Sequence, residues 1–296
     1  MILNGFLESK RNMAHRTILT AKQREALFGL PADEPRLLRH YTLSDDDLEH
    51  VGQRRRARNR LGFALQLCAL RFPGRSLLPG EVIPAEITSF LAAQLGLKEA
   101  DLGSYAIREE TRHDHMATLR RIYGYRTFSG RGARDFKTWL DAQAELATSN
   151  EDLPRRFVEE CRRTLTILPA ITTLERLCAD ALVAAERRIE TRIAGRLTND
   201  MRSELDALLS EQVDGRLSRF VWLRQFEVGN NSAAANRLLD RLDVLRGLDL
   251  PPNLCDAVSD HRITRLRRQG ERYFADGLRD LPDDRRHAIL AVCVLE

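Results

Sequence analysis

Five arginines in seven positions (Arg54, Arg55, Arg56, Arg58 and Arg60) are the side chains of this sequence best suited to chemistry, and that chemistry is phosphate binding. A guanidinium stays charged at every physiological pH and presents a planar fork of N–H donors to phosphate oxygens or to the edge of a guanine. Asn59 lies inside the same run, and a carboxamide can pair with adenine. From Val51 to Gly80 there are seven arginines, including Arg75, and no acidic residue. A merely solvated face usually mixes signs. Arginine is, however, the default cation of this chain, with 43 Arg against 4 Lys, so the surroundings of the run must decide its meaning.

The elements that would position the run are legible. Ser44, followed by Asp45 to Asp47, reads as a helix start, since a hydroxyl caps free N–H groups and carboxylates suit the positive end of the dipole. Leu48 and Val51 give this short helix its apolar side. A second helix follows at once, with Leu61, Leu65, Cys68 and Phe72 at i, i+4, i+7 and i+11. Phe63, Leu67 and Leu70 make its other faces apolar, which predicts burial, and Pro73-Gly74 stops it. A helix with a basic, wet beginning and a greasy end is what a groove-reading helix anchored in a small domain requires.

Length and charge bound the rest. A chain of 296 residues suggests two or three domains. The formal net charge of +4 is small, but residues 1–150 carry 23 basic and 18 acidic side chains, against 24 and 25 in 151–296. Phosphate binding is therefore expected in the first half. The five cysteines, Cys68, Cys161, Cys178, Cys255 and Cys293, are scattered, show no C-x-x-C spacing, and read as buried thiols of a reducing cytoplasm. No uncharged run is long enough to span a membrane, and MILNGFLESKRN lacks the apolar core of a signal peptide.

Residues 1–12 read as an extension. Thr20 and Gln23 form a capping box, and a short helix is expected from Asp33 to Tyr41. After Pro79-Gly80 and Pro84 come an apolar helix through Ile87, Phe90, Leu91 and Leu95, a short helix from Lys98 to Ala106, and a long polar helix. Arg108, Arg112, Arg120 and Arg121 lie on that polar helix. Arg126, Arg131 and Arg134 lie in an expected loop where Gly130-Arg131-Gly132 lets the backbone approach a phosphate. Without a following Gly-Lys-Ser/Thr this is not a P-loop. His113 and His115 fall on different sides of the helix, which argues against a metal site and for surface or DNA-contacting positions.

Beyond Asn150 the basic bias disappears. Thr172 with Glu175, Thr198 and Ser232 read as helix starts, and Arg262 to Leu278 as one helix whose arginines Arg262, Arg265, Arg267 and Arg268 form a cluster that could touch DNA but is more often a solvated face. The last helix closes on AILAVCVLE with no stop signal, as in a truncated chain. With no recurring β-branched alternation, the fold is predicted all-α: tandem small helix-turn-helix-like domains at 13–78 and 79–150, then a helical linker or interaction region at 151–296.

The run HYTLSDDDLEHVGQRRRARNRLGFALQLCALRFPGR resembles the N-terminal signature of Tn3-family transposases, and the resemblance continues in order through REETRHDHMATLRRIYGYRTF, ILPAITTLERLCADAL and RLRRQGERYFADGLRDLPDDRRHAIL. It implies helical domains that bind the terminal inverted repeats of a transposon, a region that links and dimerises, and, in the much longer family members, an RNase H-like Asp-Asp-Glu site that uses magnesium. This chain has no strand-rich stretch for such a site. The resemblance therefore implies double-stranded DNA as partner, no metal or cofactor of its own, no catalysis by this portion, and a cytoplasmic, nucleoid-associated location. A second copy of the chain, in a homodimer, is a further partner to test; a non-catalytic helical scaffold with only non-specific DNA affinity and an active nuclease or strand-transferase stand as alternatives.

Overall fold

The computed structural model describes residues 18–99, 109–213, 215–225 and 231–296. The expected extension at 1–12, most of the short helix at 98–106, and Arg108 lie outside the described residues. Of the described residues 69% are helical, and the chain divides into two compact units, up to Ala181 and from Leu182.

The first unit begins with α1 (Ala21–Phe28), α2 (Glu34–His40), α3 (Asp45–Gly52) and α4 (Ala57–Arg71). The start signals act as expected. Thr20 and Gln23 satisfy each other's backbone N–H groups, as do Ser44 and Asp47, and Asp33 accepts from the Arg36 N–H. Next are α5 (Ala85–Leu95), α6 (Glu109–Tyr123), α7 (Gly130–Leu146) and α8 (Asp152–Arg163). Two-residue strands β1 (Arg126–Thr127) and β2 (Thr166–Ile167) pair in parallel, Arg126 opposite Thr166. The helix α9 (Ile171–Ala194) begins in this unit and continues into the second.

Every residue of α4 from Leu61 to Leu70 is buried. Leu37, Tyr41, Val51, Leu77, Ile87, Leu91, Leu119 and Ile167 belong to the same core. The stretches 13–78 and 79–150, expected as separate domains, thus both supply this one core. Burying Leu61, Phe63, Leu65, Leu67 and Leu70 contributes on the order of 10 kcal/mol before conformational entropy is subtracted. A second packing centre joins α7 to α8 through Phe128, Phe136 and Phe157, with ring centroids 4.6–5.5 Å apart.

One buried carboxylate ties three helices. Asp47 of α3 accepts from both the Arg71 guanidinium of α4 (2.7 Å) and the Tyr123 hydroxyl of α6 (2.8 Å) while holding the Ser44 N–H. Burial works to raise its pKa, but Arg71, Ser44 and Tyr123 outweigh burial and hold the carboxyl below its ordinary range. In the same core Tyr41, wholly buried, donates its hydroxyl to the Phe72 carbonyl at 2.9 Å.

The second unit contains α10 (Asn199–Ser210), the antiparallel pair β3 (Gln212–Val213) and β4 (Leu217–Ser218), α11 (Arg219–Leu223), α12 (Ser232–Gly247), α13 (Asp260–Arg272), α14 (Ala275–Arg279) and α15 (Asp283–Leu295). Its core gathers Ile189, Ile193, Leu205, Leu209, Leu266, Leu278 and Ile289. Thr198 caps α10 as expected, through its bond from the Met201 N–H.

Several sequence expectations are corrected. Asn231, not Ser232, caps α12. The helix expected from Arg262 to Leu278 breaks at Tyr273 and Phe274 into α13 and α14. Thr172 and Glu175 do not box α9. The helix starts on the Ala170 carbonyl, and Glu175 instead accepts from the Leu19 N–H and from Arg24. Arg262 is buried and Arg265 pairs with Glu186, so these two are not a solvated face. Their neighbours across α13 and α15 come close because Gly270 has no side chain.

Two outcomes are expected. Gly270→Ala puts a methyl into Cys293 Sγ and within 3.0 Å of Ile289, and it should destabilise by about 1–3 kcal/mol in urea titration despite the better helix propensity of Ala. Asp47→Asn should cost about 3 kcal/mol near neutral pH by leaving Arg71 without its charge partner. Because the folded-state pKa of Asp47 lies below its unfolded value of about 3.9, its contribution is complete above that value and is lost as pH falls through the folded pKa. The variant should therefore lose less stability on acidification than the parent does below about pH 4.

Candidate nucleic-acid interface

The turn between α3 and α4 is built by opposite requirements at its two sides. Val51 is sealed in the core, the Arg54 N–H bonds to its carbonyl at 3.0 Å, and Leu61 is sealed ten residues later. The residues between are forced outward. Arg56 takes the N-cap position with extended dihedrals, supplies no side-chain cap, and no acidic residue follows in the first turn. The start of α4 therefore presents N–H groups and cations with no carboxylate, an arrangement that attracts anions.

The arginines of this turn have different tasks. Arg55 and Arg56 are exposed, Arg58 and Asn59 are half-buried, and none of the three arginines makes an ion pair among the described residues. Arg54 lies over the Phe63 ring at 4.9 Å and touches Gln53 at 3.4 Å, and its Nε is buried without an acceptor. Arg60 turns back, its Nε donating to the Arg54 carbonyl at 2.8 Å. Arg54 and Arg60 thus shape the turn that displays Arg55, Arg56 and Arg58.

Arg75 is not displayed. It donates to the Phe28 carbonyl (2.9 Å) and to Ser76, and it pairs with Glu81, with only 14% and 17% of the two side chains exposed. Burial works to raise the Glu81 pKa, while Arg75 and the Leu78 N–H prevail and lower it. Arg112 donates to the Leu77 carbonyl at 3.4 Å. Arg120 and Arg121 stand exposed in the last turn of α6, Arg126 is exposed on β1 while its N–H bonds to the Leu165 carbonyl, and Arg134 is exposed on α7. None of these last four makes an ion pair among the described residues.

Two expectations here are corrected. Gly130-Arg131-Gly132 is not a loop: Gly130, at φ 59°, opens α7, so Arg131 and Arg134 belong to its first turns. His115 is neither on the surface nor available to DNA. It is buried edge-on against Phe63 (5.2 Å), and burial, followed by the charge of Arg54, pushes its pKa down to about 4. His113, two residues away, is exposed, as the helical geometry requires.

Sequence reasoning missed the Asp47–Arg71–Tyr123 and Glu175–Arg24 ties, because no local spacing links partners so far apart. It also passed over Arg36, Arg39 and His40, for which an -R-x-x-R-H- segment was the available signal. Among the described residues no group of three or more His, Cys, Asp or Glu could hold a metal ion, and no helix is long and apolar enough to cross a membrane.

Comparison with known proteins adds a frame to this geometry. The family described as "Domain of unknown function (DUF4158)" matches residues 18–181, which ends where the first unit ends. The chain is similar to the transposases of transposons Tn3926 and Tn21 of Escherichia coli, each 34% identical, and of Tn501 of Pseudomonas aeruginosa, 33% identical. Each alignment covers 96% of this chain and 29% of the relative, so the chain spans about 29% of the length of the curated relatives it matches.

Arg75→Ala should lower stability by about 2–3 kcal/mol by stranding Glu81, whereas Arg55→Ala should stay within about 0.5 kcal/mol of the parent. Urea unfolding followed by circular dichroism reads both, and equal effects would refute this division of labour.

Proposed function

The chain belongs to the DUF4158 family and corresponds to the N-terminal region of Tn3-family transposases, and on that premise we propose that its first unit binds the terminal inverted repeats of such a transposon as double-stranded DNA. The observation that carries this reading is the α3–α4 turn. Arg55, Arg56 and Arg58 project from the start of a helix whose next ten residues are buried, with no acidic residue from Val51 to Gly80. Asn59 and one or more of these arginines meet base edges, and the others hold phosphates, since positioning contacts outnumber base contacts. Arg120, Arg121, Arg126 and Arg134 extend the contact along the backbone, and the side chain of Arg131 lies outside the described residues. Arg54, Arg60, Arg75 and Arg112, each bonded within the unit, support the surface. Strand cleavage and joining, with the magnesium they need, belong to the part of a Tn3-family transposase that this chain does not match.

A second reading, a helical interaction region at 182–296, is favoured by α12, which leaves Leu238, Leu239 and Leu242 between 37% and 55% exposed. Light scattering over a concentration series, with and without DNA, tests whether a homodimer forms.

The deciding measurement is fluorescence anisotropy with a duplex carrying a Tn3-type terminal inverted repeat, against a scrambled duplex, over a salt series. Preference for the repeat should survive near physiological salt. Arg56→Gln should weaken both duplexes alike and lower the salt slope by about one unit if it holds a phosphate, and a base-reading residue should cost about 1–3 kcal/mol on the repeat alone. Equal binding to both duplexes that vanishes as salt rises would refute repeat recognition.

A further inference from the structure

A second gathering of positive charge lies around the Phe72 ring, at the end of α4 opposite the Arg54–Arg60 turn. His40, the last residue of α2, stacks on that ring with centroids 4.9 Å apart and planes 16° apart. Arg162 of α8 lies over the same ring at 4.6 Å, and Arg36 lies over it at 5.7 Å. Arg39 adjoins His40, is exposed, and makes no ion pair among the described residues. Two carboxylates meet this group: Asp33, 3.4 Å from Arg36 with both side chains about half exposed, a pair of little energetic weight, and Glu159 of α8, whose charge acts on Arg162 without an ion pair to it among the described residues.

A helix C-terminus explains cations in its own last turn, as with Arg39 and His40. It does not explain Arg162, which arrives from another helix and is locked there by bonds from Nε to the Pro73 carbonyl (2.8 Å) and from Nη2 to the Leu27 carbonyl (3.3 Å). Arg162 therefore supplies a fixed positive field, while exposed Arg36 and Arg39 can turn to a ligand. We propose that Arg36, Arg39 and His40 form a phosphate-binding subsite for the backbone of bound duplex DNA, distinct from the Arg54–Arg60 turn; the proposal rests on the DNA-binding reading above. At about 1.5 Å per residue, Phe72 lies about 20 Å along α4 from Asn59, or about six base-pair steps of duplex.

Proton accounting gives the subsite a signature. In the free protein burial, then Arg39, Arg162 and Arg36, lower the His40 pKa and so favour the neutral ring. A phosphate placed among these guanidinium groups offsets their field. The imidazole then takes one proton from solvent and donates an N–H to a phosphate oxygen. Binding is thereby coupled to uptake of one proton and strengthens as pH falls, by at most tenfold per pH unit.

The test uses the full chain and the inverted-repeat duplex in salt and pH series, with Arg39→Gln and His40→Gln. Arg39→Gln should lower the salt slope by about one unit with an unchanged melting temperature. His40→Gln should abolish the strengthening between pH 7.5 and 6. In NMR, the His40 ring proton, identified by its loss in that variant or by difference from the other six histidines, should titrate at higher pH with duplex bound than without. If the parent binds the repeat and both variants match it in slope and pH dependence, the subsite is overturned while the DNA-binding reading stands. If His40→Gln does not fold, an unmoved His40 titration in the parent on adding duplex overturns the subsite. A parent that binds no duplex overturns both.

Discussion

The first unit depends on burying α4 on all of its faces. Ten consecutive residues, Leu61 to Leu70, are withdrawn from water, so neighbouring elements must surround this helix and not merely cover one side. Such a helix has no wet stripe on which to carry polar function, and its ends are the places where function can stand. The polar residues that it does bury are therefore committed. Gln66 accepts the Leu77 N–H, and Arg71 at the C-terminal end is clamped by Asp47. The Asp47 carboxylate does for α3, α4 and α6 what no apolar contact could, since it accepts only at fixed directions and so sets their register as well as their proximity.

The abundance of arginine becomes intelligible once the side chains are sorted by partner. Arg24, Arg71 and Arg75 end on buried or half-buried carboxylates, and Arg162, Arg196 and Arg202 end on backbone carbonyls. A guanidinium can bridge two or three such acceptors at once, which a lysine cannot do with the same planarity. Set against these, Arg39, Arg55, Arg56, Arg120, Arg121, Arg126 and Arg134 face water. A run of arginines in a sequence mixes both kinds, as Arg54 to Arg60 shows.

Much of the fold was legible because its signals are local. The capping boxes at Thr20 and Ser44, the stop at Pro73-Gly74 and the all-round apolar character of α4 each need only a few neighbouring residues, and each is present. What escaped sequence reading needed distance. Glu175 looked like the third residue of a box with Thr172, and it went instead to Leu19 and Arg24 because a buried carboxylate gains more from a guanidinium than from its own helix. The two-residue offset of His113 and His115 speaks for surface or DNA-contacting positions, yet the His115 face of the helix meets Phe63. The glycines at 130 and 132 suggested a loop, but only Gly130 needs a left-handed backbone, and it needs it to begin a helix. For the candidate site, the sequence placed the arginine run correctly between a capped helix and a buried one. Which of its members are tied down was set by Phe63 and by a carbonyl, and neither can be seen in the spacing of charges.

The bond from the Leu19 N–H to Glu175 spans 156 residues, and Arg24 adds two contacts to the same carboxylate. During synthesis at about 5–20 residues per second, the first turn of the unit therefore waits on the order of 10 s for its anchor to leave the ribosome. The sequence between, which includes the arginine-bearing turn and all of α4, can collapse in that interval, and α1 is already tied to it where Arg75 and Arg162 meet the Phe28 and Leu27 carbonyls and Gln23 meets Glu151. Of the bonds that hold α1 and the residue before its cap, those to Glu175 come from the latest-made partner. A nascent chain stalled before residue 175 would hold α1 by its other ties while the Leu19 N–H and the Arg24 guanidinium still lacked their carboxylate.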